Sequence, residues 1–539
     1  MNRKRVLSAS IVVLLLTAAA VTTGQVPLPD LFVASDQCMS CHNQLIAPGG
    51  EDISIGTDWR SSMMANAARD PYWQASVRRE TLVHPSASAA IQHECSACHM
   101  PMTRYEAKAA GQQGMVFDHL PIVDALNRAD LLAADGVSCA MCHQIQEEGL
   151  GEESGFTAGF VVDNRRAMGQ RKIFGPYVVD DGRKNLMNSS ARFTPEQKLH
   201  IKGSGLCATC HTLYTHALDE EGNVTGELPE QVPYLEWEHS DYYGKRSCQS
   251  CHMPMVETET PITGVVGQDR PEVNRHVFRG GNFFMPRILN AHRKELGVAA
   301  QPGELEVASV RTKEHLDTSS ARLALEGVGV AGGHLAAEVV IINLAGHKLP
   351  SAYPSRRSWI HFTVRDGQGD VVFESGRMDP DGSIRGNEND RDPSRFEPHY
   401  REITSPDQVQ IYEPILGDPG GEVTTVLLTA TRYLKDNRLL PKGFDKSTAD
   451  PDIAVYGEAS QDRDFTSGGD RVRYTVPIPA GRQGPFTVEA ALCYQPIGFR
   501  WAHNLKQHSS DEGDRFVGYF EQMADRSGTL LARKSVELP

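Results

Sequence analysis

The residues of this sequence best suited to chemistry are cysteines in pairs, each pair followed at once by a histidine. Cys-x-x-Cys-His is the attachment motif of a c-type haem: the thiols form thioether bonds to the porphyrin and the histidine ligates the iron. The sequence contains five copies, which use ten of its eleven cysteines. Numbered motif 1 to motif 5, they are Cys38, Cys41, His42; Cys95, Cys98, His99; Cys139, Cys142, His143; Cys207, Cys210, His211; and Cys248, Cys251, His252.

Chance and other cysteine chemistries do not explain this pattern. The composition of the 539-residue chain predicts roughly 0.008 copies by chance. Zinc sites pair Cys-x-x-Cys units without requiring a histidine after every second cysteine. A disulfide framework would not repeat a two-residue spacing with the same histidine in five places. We therefore predict five covalently attached c-type haems, whose iron is bound by the motif histidines.

The second axial position of each iron needs a ligand from elsewhere. Methionine is disfavoured, because the methionines that directly follow His99 and His252 cannot reach the opposite face of the same ring and are expected to pack against a porphyrin. Mainly bis-histidine ligation, which gives low-potential haems, is expected. The candidate distal ligands are His216, His276, His239, His347, His200 and His93.

We chose five of these histidines from those outside the motifs because they lie close to a motif in the sequence. His216 and His239 lie between motifs 4 and 5, and His276 follows motif 5. His200 and His93 shortly precede motif cysteines. For each of them the alternative is an ordinary surface or core histidine, or one that hydrogen-bonds near a haem.

The N-terminal residues predict export. A positive segment (3–5) precedes an apolar run (11–16) and small residues (18–20), which is the layout of a secretory signal. Residues 1–24 are the predicted signal peptide, and the alternative, an uncleaved anchor, would be the only link to a membrane. We expect a periplasmic or extracellular protein, in the kind of compartment where c-type haem is attached.

The net charge of the chain indicates which kinds of molecule it binds. The net charge is −15 and the pI is about 5.7, which argues against a nucleic-acid backbone as ligand. The expected partners are redox proteins, an electron donor and an electron acceptor. An acidic surface suits a basic redox partner, although solubility alone also accounts for such a charge.

The pattern of elements changes near residue 305. Before it, helical pieces such as 58–80 and 121–132 alternate with long connections, including 149–188. After it, period-two segments predict strands. They are 335–344, 358–364, 371–373, 423–431, 471–477 and 486–495. The predicted fold class is α+β: a mainly α and irregular multihaem cytochrome c domain at 25–304, then an all-β immunoglobulin-like sandwich at 305–539.

Three features of the second part bear on chemistry. His347 lies in a loop (343–350) that ends a strand, and we expect it to reach across to a haem. Cys493, the cysteine outside the motifs, is expected to be a core thiol. The segment 379–392 is rich in Asp, Asn and Gly, which favours a solvated loop over a cation site.

The sequence resembles a known family. Segments 95–101, 207–216 and 248–254 look like those of exported multihaem cytochromes of the cytochrome c-552/c-554 family, and Gly-His-Lys-Leu-Pro at 346–350 looks like that of large members with a β-sandwich after the haems. The resemblance implies electron transfer through closely stacked haems and distal roles for histidines such as His216, His276 and His347. The fifth motif and the large second part depart from the tetrahaem members, so the partners of those members do not carry over.

Two functions fit these residues. The leading prediction is an electron carrier with no catalytic residue, because six-coordinate irons transfer electrons without binding a substrate. The alternative is a multihaem oxidoreductase acting on a small nitrogen or sulfur compound at one haem with an open face. The surplus of histidines and the lack of a Cys-x-x-Cys-Lys motif of the nitrite-reductase kind favour the carrier.

Overall fold

The computed structural model describes residues 29–539. The predicted signal peptide (1–24) lies outside the described residues. Within 29–539, no helix is both long and apolar enough to span a membrane. Helices and strands are mixed along the chain, so the fold class is α+β, as the sequence predicts.

The helices of the first part are short, and local sequence explains where they begin and end. Motif 2 ends one helix at His99, and Pro101 begins the next, since proline fits the first turn, where its missing N–H costs nothing. Asp70 begins the helix at Pro71 by accepting hydrogen bonds from the backbone N–H of Tyr72 (2.9 Å) and Trp73 (3.3 Å). The helices up to residue 319 are α1 (Asp36–Met39), α2 (Ile55–Arg60), α3 (Pro71–Val83), α4 (Ser88–His99), α5 (Pro101–Ala109), α6 (Arg128–Ala134), α7 (Cys139–Cys142), α8 (Asp181–Ala191), α9 (Ser204–His211), α10 (Pro233–Glu238), α11 (Cys248–His252), α12 (Met285–Ala291) and α13 (Pro302–Ser319).

Three two-stranded sheets connect these helices. The first is parallel and the other two are antiparallel. The second is a hairpin that follows motif 4 directly and carries His216. The pairs are β1 (Arg171–Gly175) with β2 (Phe193–Gln197), β3 (Leu213–Leu218) with β4 (Val224–Gln231), and β5 (Thr260–Pro261) with β6 (Asp269–Arg270).

The second part is built on longer strands. A five-stranded sheet has the order β10-β9-β17-β18 with β12 also paired to β9, and a four-stranded sheet has the order β11-β16-β8-β7. A third sheet has the order β14-β13-β15. The elements are β7 (Ala321–Ala331), β8 (His334–Asn343), β9 (Arg357–Arg365), β10 (Val371–Ser375), α14 (Glu388–Arg391), β11 (Glu402–Ile403), β12 (Ile411–Tyr412), β13 (Pro414–Gly417), β14 (Val423–Thr424), β15 (Arg432–Asp436), β16 (Gly469–Pro477), β17 (Phe486–Gln495), α15 (Phe499–His503), α16 (Asp511–Met523) and β18 (Thr529–Leu538).

The two larger sheets pack face to face. Phe362 of β9 stacks on Tyr474 of β16 with ring centroids 3.9 Å apart. Alternate residues of β8, beginning with Leu335, are buried while their neighbours are more exposed, which is the pattern of a strand with one covered face. The immunoglobulin-like character of these layers stays a prediction.

One hydrophobic core joins the second part to the first. Tyr72 of α3 packs against Phe516 of α16, with ring centroids 4.9 Å apart. The Glu80 carboxylate accepts hydrogen bonds from the backbone N–H of Leu427 (3.1 Å) and Leu428 (3.2 Å). The division at 304/305 stays a prediction, and in this fold it lies inside helix α13.

Candidate haem-binding sites

The thiols of different motifs lie next to one another. Cys38 of motif 1 is the neighbour of Cys139 of motif 3. Cys210 of motif 4 is close to cysteines of two others, Cys98 of motif 2 and Cys142 of motif 3. The other thiol of motif 4, Cys207, lies beside Cys248 of motif 5. The five motifs therefore form one cluster, in which motif 4 has one thiol beside motif 2 and the other beside motif 5, and lies near motif 3.

Four of the five motif histidines are oriented in the same way. In each, ring nitrogen Nδ1 lies within hydrogen-bonding distance of a backbone carbonyl oxygen, so Nδ1–H donates and Nε2 is left unprotonated to bind a metal. The pairs are His42 with Ile262 (2.6 Å), His99 with Ala67 (3.0 Å), His143 with Phe174 (2.6 Å) and His252 with Arg279 (2.6 Å). These carbonyls lie far from the motifs in sequence, so no local pattern predicts them.

His211 of motif 4 is the exception. Its ring has no hydrogen bond to any protein group among residues 29–539, and the charge of Arg356 acts on it. Arg356 itself donates to the carbonyl of Ser351 at 3.0 Å. Arg356 and the buried hydroxyl of Tyr494 both line the space next to Gly281: a Cβ added there would lie 2.5 Å from that hydroxyl and 3.5 Å from Arg356 Nη1.

Burial keeps three of these candidate ligands, His99, His252 and His276, neutral. Loss of solvent lowers the pKa of His99 and of His252 to about 4, and that of His276 to about 3. Protonation of a neighbouring histidine would act in the same direction: a charge on His211 lowers the pKa of His99, and one on His347 that of His252. At neutral pH these imidazoles are in the unprotonated form that a metal requires.

His276 faces the histidine of motif 3. The ring centroids of His143 and His276 lie 6.3 Å apart with an angle of 23° between the planes. With metal–nitrogen bonds of about 2 Å, two imidazoles on opposite sides of one ion have centroids roughly 6 Å apart. The Nδ1 of His276 is buried without a hydrogen bond of ordinary geometry. This separation fits one iron between the two rings.

Two histidines lie at the same distance from the histidine of motif 5. The His347 ring is 6.2 Å from that of His252 and inclined by 13°, and the His315 ring is 6.1 Å away and inclined by 70°. The Nδ1 of His347 lies 2.8 Å from the carbonyl oxygen of Lys348, which leaves its Nε2 free. His315 was not among the sequence-based candidates, because it lies in helix α13 without a motif around it.

A buried ion pair holds the loop that carries His347. The Lys348 side chain is fully buried and its Nζ lies 2.6 Å from the Asp436 carboxylate, which Arg438 also contacts at 2.7 Å. The backbone N–H of Lys348 donates to Glu236 of α10 at 3.0 Å. The Gly-His-Lys-Leu-Pro segment is thus fixed to both parts of the chain, which positions His347 toward His252.

The four other candidate distal histidines do not face a motif histidine ring to ring in the described residues. His216 is half-exposed and lies 3.7 Å from Glu94 and Glu227, and the Nδ1 of His239 lies 3.0 Å from the carbonyl of Leu235. The remaining contacts are His200 Nε2 with the carbonyl of Ile145 (2.9 Å) and His93 Nδ1 with the backbone N–H of Gly114 (2.8 Å). Their roles as ligands stay predictions.

A cavity of about 710 Å³ lies between the segments that follow motifs 1 and 5. Arg275, Arg279, Arg311 and His315 line it. Asp58 pairs with Arg275 at 2.8 Å and with Arg311 at 3.0 Å, whereas Arg279 has no carboxylate partner in the described part of the chain. Because haem propionates are carboxylates, a guanidinium such as that of Arg279 suits them.

The other polar clusters have structural partners. His399 lies 3.2 Å from Asp462, but its Nδ1 receives the amide N–H of Asn437 (3.1 Å) and Gln410 (2.8 Å). Nε2 of His399 therefore carries the proton and donates a hydrogen bond to Asp462. With Nδ1 accepting and Nε2 protonated, neither ring nitrogen has a lone pair free to bind a metal.

The two remaining sequence features also have partners in the second part. Asp390, in the Asp-rich segment 379–392, pairs with Arg357 at 2.8 Å. Burial raises the pKa of the Cys493 thiol to about 12, and Cys493 packs against the cluster around Trp359.

Comparison with known proteins identifies the fold. No protein-family model matches the chain, and no curated protein matches it in sequence. The structure is similar to the crystal structure of a penta-heme cytochrome c552 from Thermochromatium tepidum, with a TM-score of 0.53 and 16% sequence identity. The match covers 94% of this chain and 99% of that chain. The protein therefore has a multihaem cytochrome c-like fold.

Proposed function

We propose that the protein is a pentahaem c-type cytochrome that carries electrons between redox partner proteins. The ten motif cysteines would hold the haems covalently, and His42, His99, His143, His211 and His252 would ligate the irons. Haem iron supplies reversible one-electron chemistry. The chain would contribute ligands, fixed orientation and exclusion of water.

The separation of His143 and His276, 6.3 Å between ring centroids, is the observation that carries this proposal. It matches two imidazoles on one metal ion. His252 and His347, at 6.2 Å, repeat the arrangement at motif 5. Irons ligated on both sides are closed to substrates, which favours electron transfer over catalysis at these two sites.

The thiol contacts supply a route for the electrons. The thiols of motifs 1 and 3 adjoin, as do those of motifs 4 and 2 and of motifs 4 and 5, and motif 3 lies near motif 4. Haems attached at adjoining thiols have their edges close together. The path would therefore have three ends, at motifs 1, 2 and 5, and would join at motif 4.

The carbonyl partners of the motif histidines would tune the carriers. A carbonyl that accepts Nδ1–H fixes the ring, selects the tautomer and makes Nε2 a stronger donor. A stronger donor favours the oxidised iron and lowers the reduction potential. Such bonds support the expectation of low-potential haems at motifs 1, 2, 3 and 5.

A reductive titration tests the electron-carrier proposal. We expect the purified protein to take up five electrons per chain reversibly, as followed by its visible absorption. A variant with Cys139→Ala and Cys142→Ala should take up four, and Cys493→Ala should still take up five. Uptake of fewer than five by the unmodified protein would contradict the proposal.

Export is part of the proposal. The signal-like layout of 1–24 supports a periplasmic or extracellular location, where the redox partners would also lie. N-terminal sequencing of the haem-containing protein should find a chain that begins near residue 21 or 25. A chain that retains Met1 would instead indicate an anchored protein.

An enzymatic role at one haem is the second candidate. His42, His99 and His211 face no second histidine ring among residues 29–539, so an open face at one of these sites would admit a small nitrogen or sulfur compound. EPR of the oxidised protein separates the two functions. A high-spin ferric signal, together with carbon monoxide binding after reduction, would support the enzyme; wholly low-spin spectra would support the carrier.

A further inference from the structure

The haem site of motif 4 differs from the other four in both its position and the surroundings of its histidine. We infer that this site is the junction of the electron path and has the highest reduction potential of the five. The inference rests on the proposed function, since it requires haems at the motifs. If the inference holds, electrons would collect at motif 4 before they leave through motif 2 or motif 5.

The thiols place the junction. Motif 4 offers one thiol to each side: Cys207 adjoins Cys248 of motif 5, whereas Cys210 adjoins Cys98 of motif 2 and acts on Cys142 of motif 3. The histidine charges repeat this order, because His211 acts on both His99 and His252. Motifs 1 and 3 interact with each other in the same way.

The hydrogen bonding of His211 raises the potential. His42, His99, His143 and His252 each donate Nδ1–H to a carbonyl at 2.6 to 3.0 Å, and such a bond raises the basicity of the ligating nitrogen. His211 has no protein acceptor in the described part of the chain. A less basic imidazole stabilises the oxidised iron less, so the site is easier to reduce.

The guanidinium of Arg356 acts in the same direction. Its charge acts on His211, and its Nη1 donates to a neutral group, the backbone carbonyl of Ser351, at 3.0 Å. No carboxylate lies within ion-pair distance of Arg356 among residues 29–539. A nearby uncompensated positive charge favours the reduced iron, which carries one positive charge less.

Motif 5 provides an internal comparison. The charge of Arg279 acts on His252, as that of Arg356 acts on His211. His252, however, donates Nδ1–H to the Arg279 carbonyl at 2.6 Å. Motif 5 thus has one of the two effects and motif 4 has both, so we expect the potentials to fall from motif 4 to motif 5 and then to the others.

The consequence is directional. With haems bound, a redox partner protein would reduce an outer site, and that site would be oxidised again as it passed one electron to the site of motif 4. No bond or proton has to move in this step. An electron at the junction can leave through motif 2 or motif 5, so one chain could serve two acceptors.

Potentiometric titration of the five-haem protein, followed by visible absorption and EPR, tests the inference. The unmodified protein should show one component at least tenfold easier to reduce than the next, which is about 59 mV for a one-electron couple. Arg356→Gln should make that component about tenfold harder to reduce and leave the other four in place. Arg356→Lys, which keeps the charge, should retain most of the effect.

The control is Arg473→Gln, a half-exposed arginine of β16 that pairs with Glu338 at 3.4 Å and lies outside the motifs. It should move no component. The inference would be overturned if the unmodified protein had five haems and none with a separate, higher reduction potential. It would also be overturned if Arg356→Gln kept five haems and the highest potential did not move. Either result would leave the electron-carrier proposal standing. A protein with fewer than five haems would instead defeat the proposed function. Should Arg356→Gln not fold, the titration of the unmodified protein still decides.

Discussion

Residues 29–300 and residues 321–538 differ in what holds them together. The second part has strands of up to eleven residues that share one large hydrophobic core. The motif-bearing part has helices of thirteen residues or fewer; α3 and residues 283–300 contribute to that same core, and separate small clusters lie around motifs 2 and 3 and behind motif 1. Little apolar core is available per residue there. If the proposed haems are bound, they would supply part of the core of the first part, whereas the second part is held together by its own side chains.

Preventing haem attachment should separate the two parts most strongly. A chain expressed without the attachment machinery should lose much of its helical circular dichroism, because its motif helices have few other contacts. Limited proteolysis should then cut within 29–300 and spare the strands from 321 onward. Equal protection of both parts, or equal loss, would contradict the comparison.

Removing the buried cation of Lys348, in the loop that contacts both parts, should have the next largest effect. In Lys348→Met the Asp436 carboxylate keeps Arg438 but loses its 2.6 Å contact with Lys348. We expect a loss of about 3 kcal/mol in the free energy of unfolding, because breaking a buried pair leaves a charge poorly compensated. Urea denaturation measures it. Lys442→Met, at an exposed pair with Asp241, should change stability by under about 0.5 kcal/mol.

Replacing a facing histidine should change one haem and leave the fold intact. His276→Ala should convert the iron at motif 3 from low spin to high spin, since its ring lies 6.3 Å from that of His143. His347→Ala should do the same at motif 5, unless His315, 6.1 Å from His252, takes its place. EPR of the oxidised variants tests this. His334→Ala, at the exposed start of β8, is the control and should leave every signal unchanged.

The smallest effect is expected at the helix pair that links the parts. Arg78 of α3 contacts Glu512 of α16 through two hydrogen bonds of 2.9 and 3.0 Å. This pair is partly exposed, so Glu512→Gln should cost about 1 kcal/mol of stability. A thermal melt with both haem absorption and far-ultraviolet dichroism should show the two signals shifting together. Signals that separate would indicate that the parts unfold independently.

The strands of the second part were predicted more accurately from the sequence than the helices were. The apolar residues of β8, β9 and β17 predict these strands within one or two residues: β8 alternates because one of its faces is covered, whereas β9 is buried on both faces. Helix α16 was not predicted, although Ser510 caps it and its apolar residues face α3. The region 121–132, predicted to be one helix, contains a short turn and only the beginning of α6 (Arg128–Ala134).

The cofactor motifs were predictable and their surroundings were not. The motif spacing is fixed by the chemistry of attachment, so the sequence alone identifies it. The histidines whose rings face a motif histidine lie far from it in the sequence: His347 is 95 residues from His252 and His276 is 133 residues from His143. Nothing local distinguishes His315 from a solvent-facing residue of α13. The carbonyl partners are backbone groups, which no side-chain pattern reveals.

The mass of the purified, exported protein tests the central claim most directly. The account predicts a mature chain with five haems bound covalently and retained after denaturation. Cys207→Ala with Cys210→Ala should remove one haem, and Cys493→Ala should remove none. A mature chain with fewer than five covalent haems, or with none after denaturation, would contradict the account.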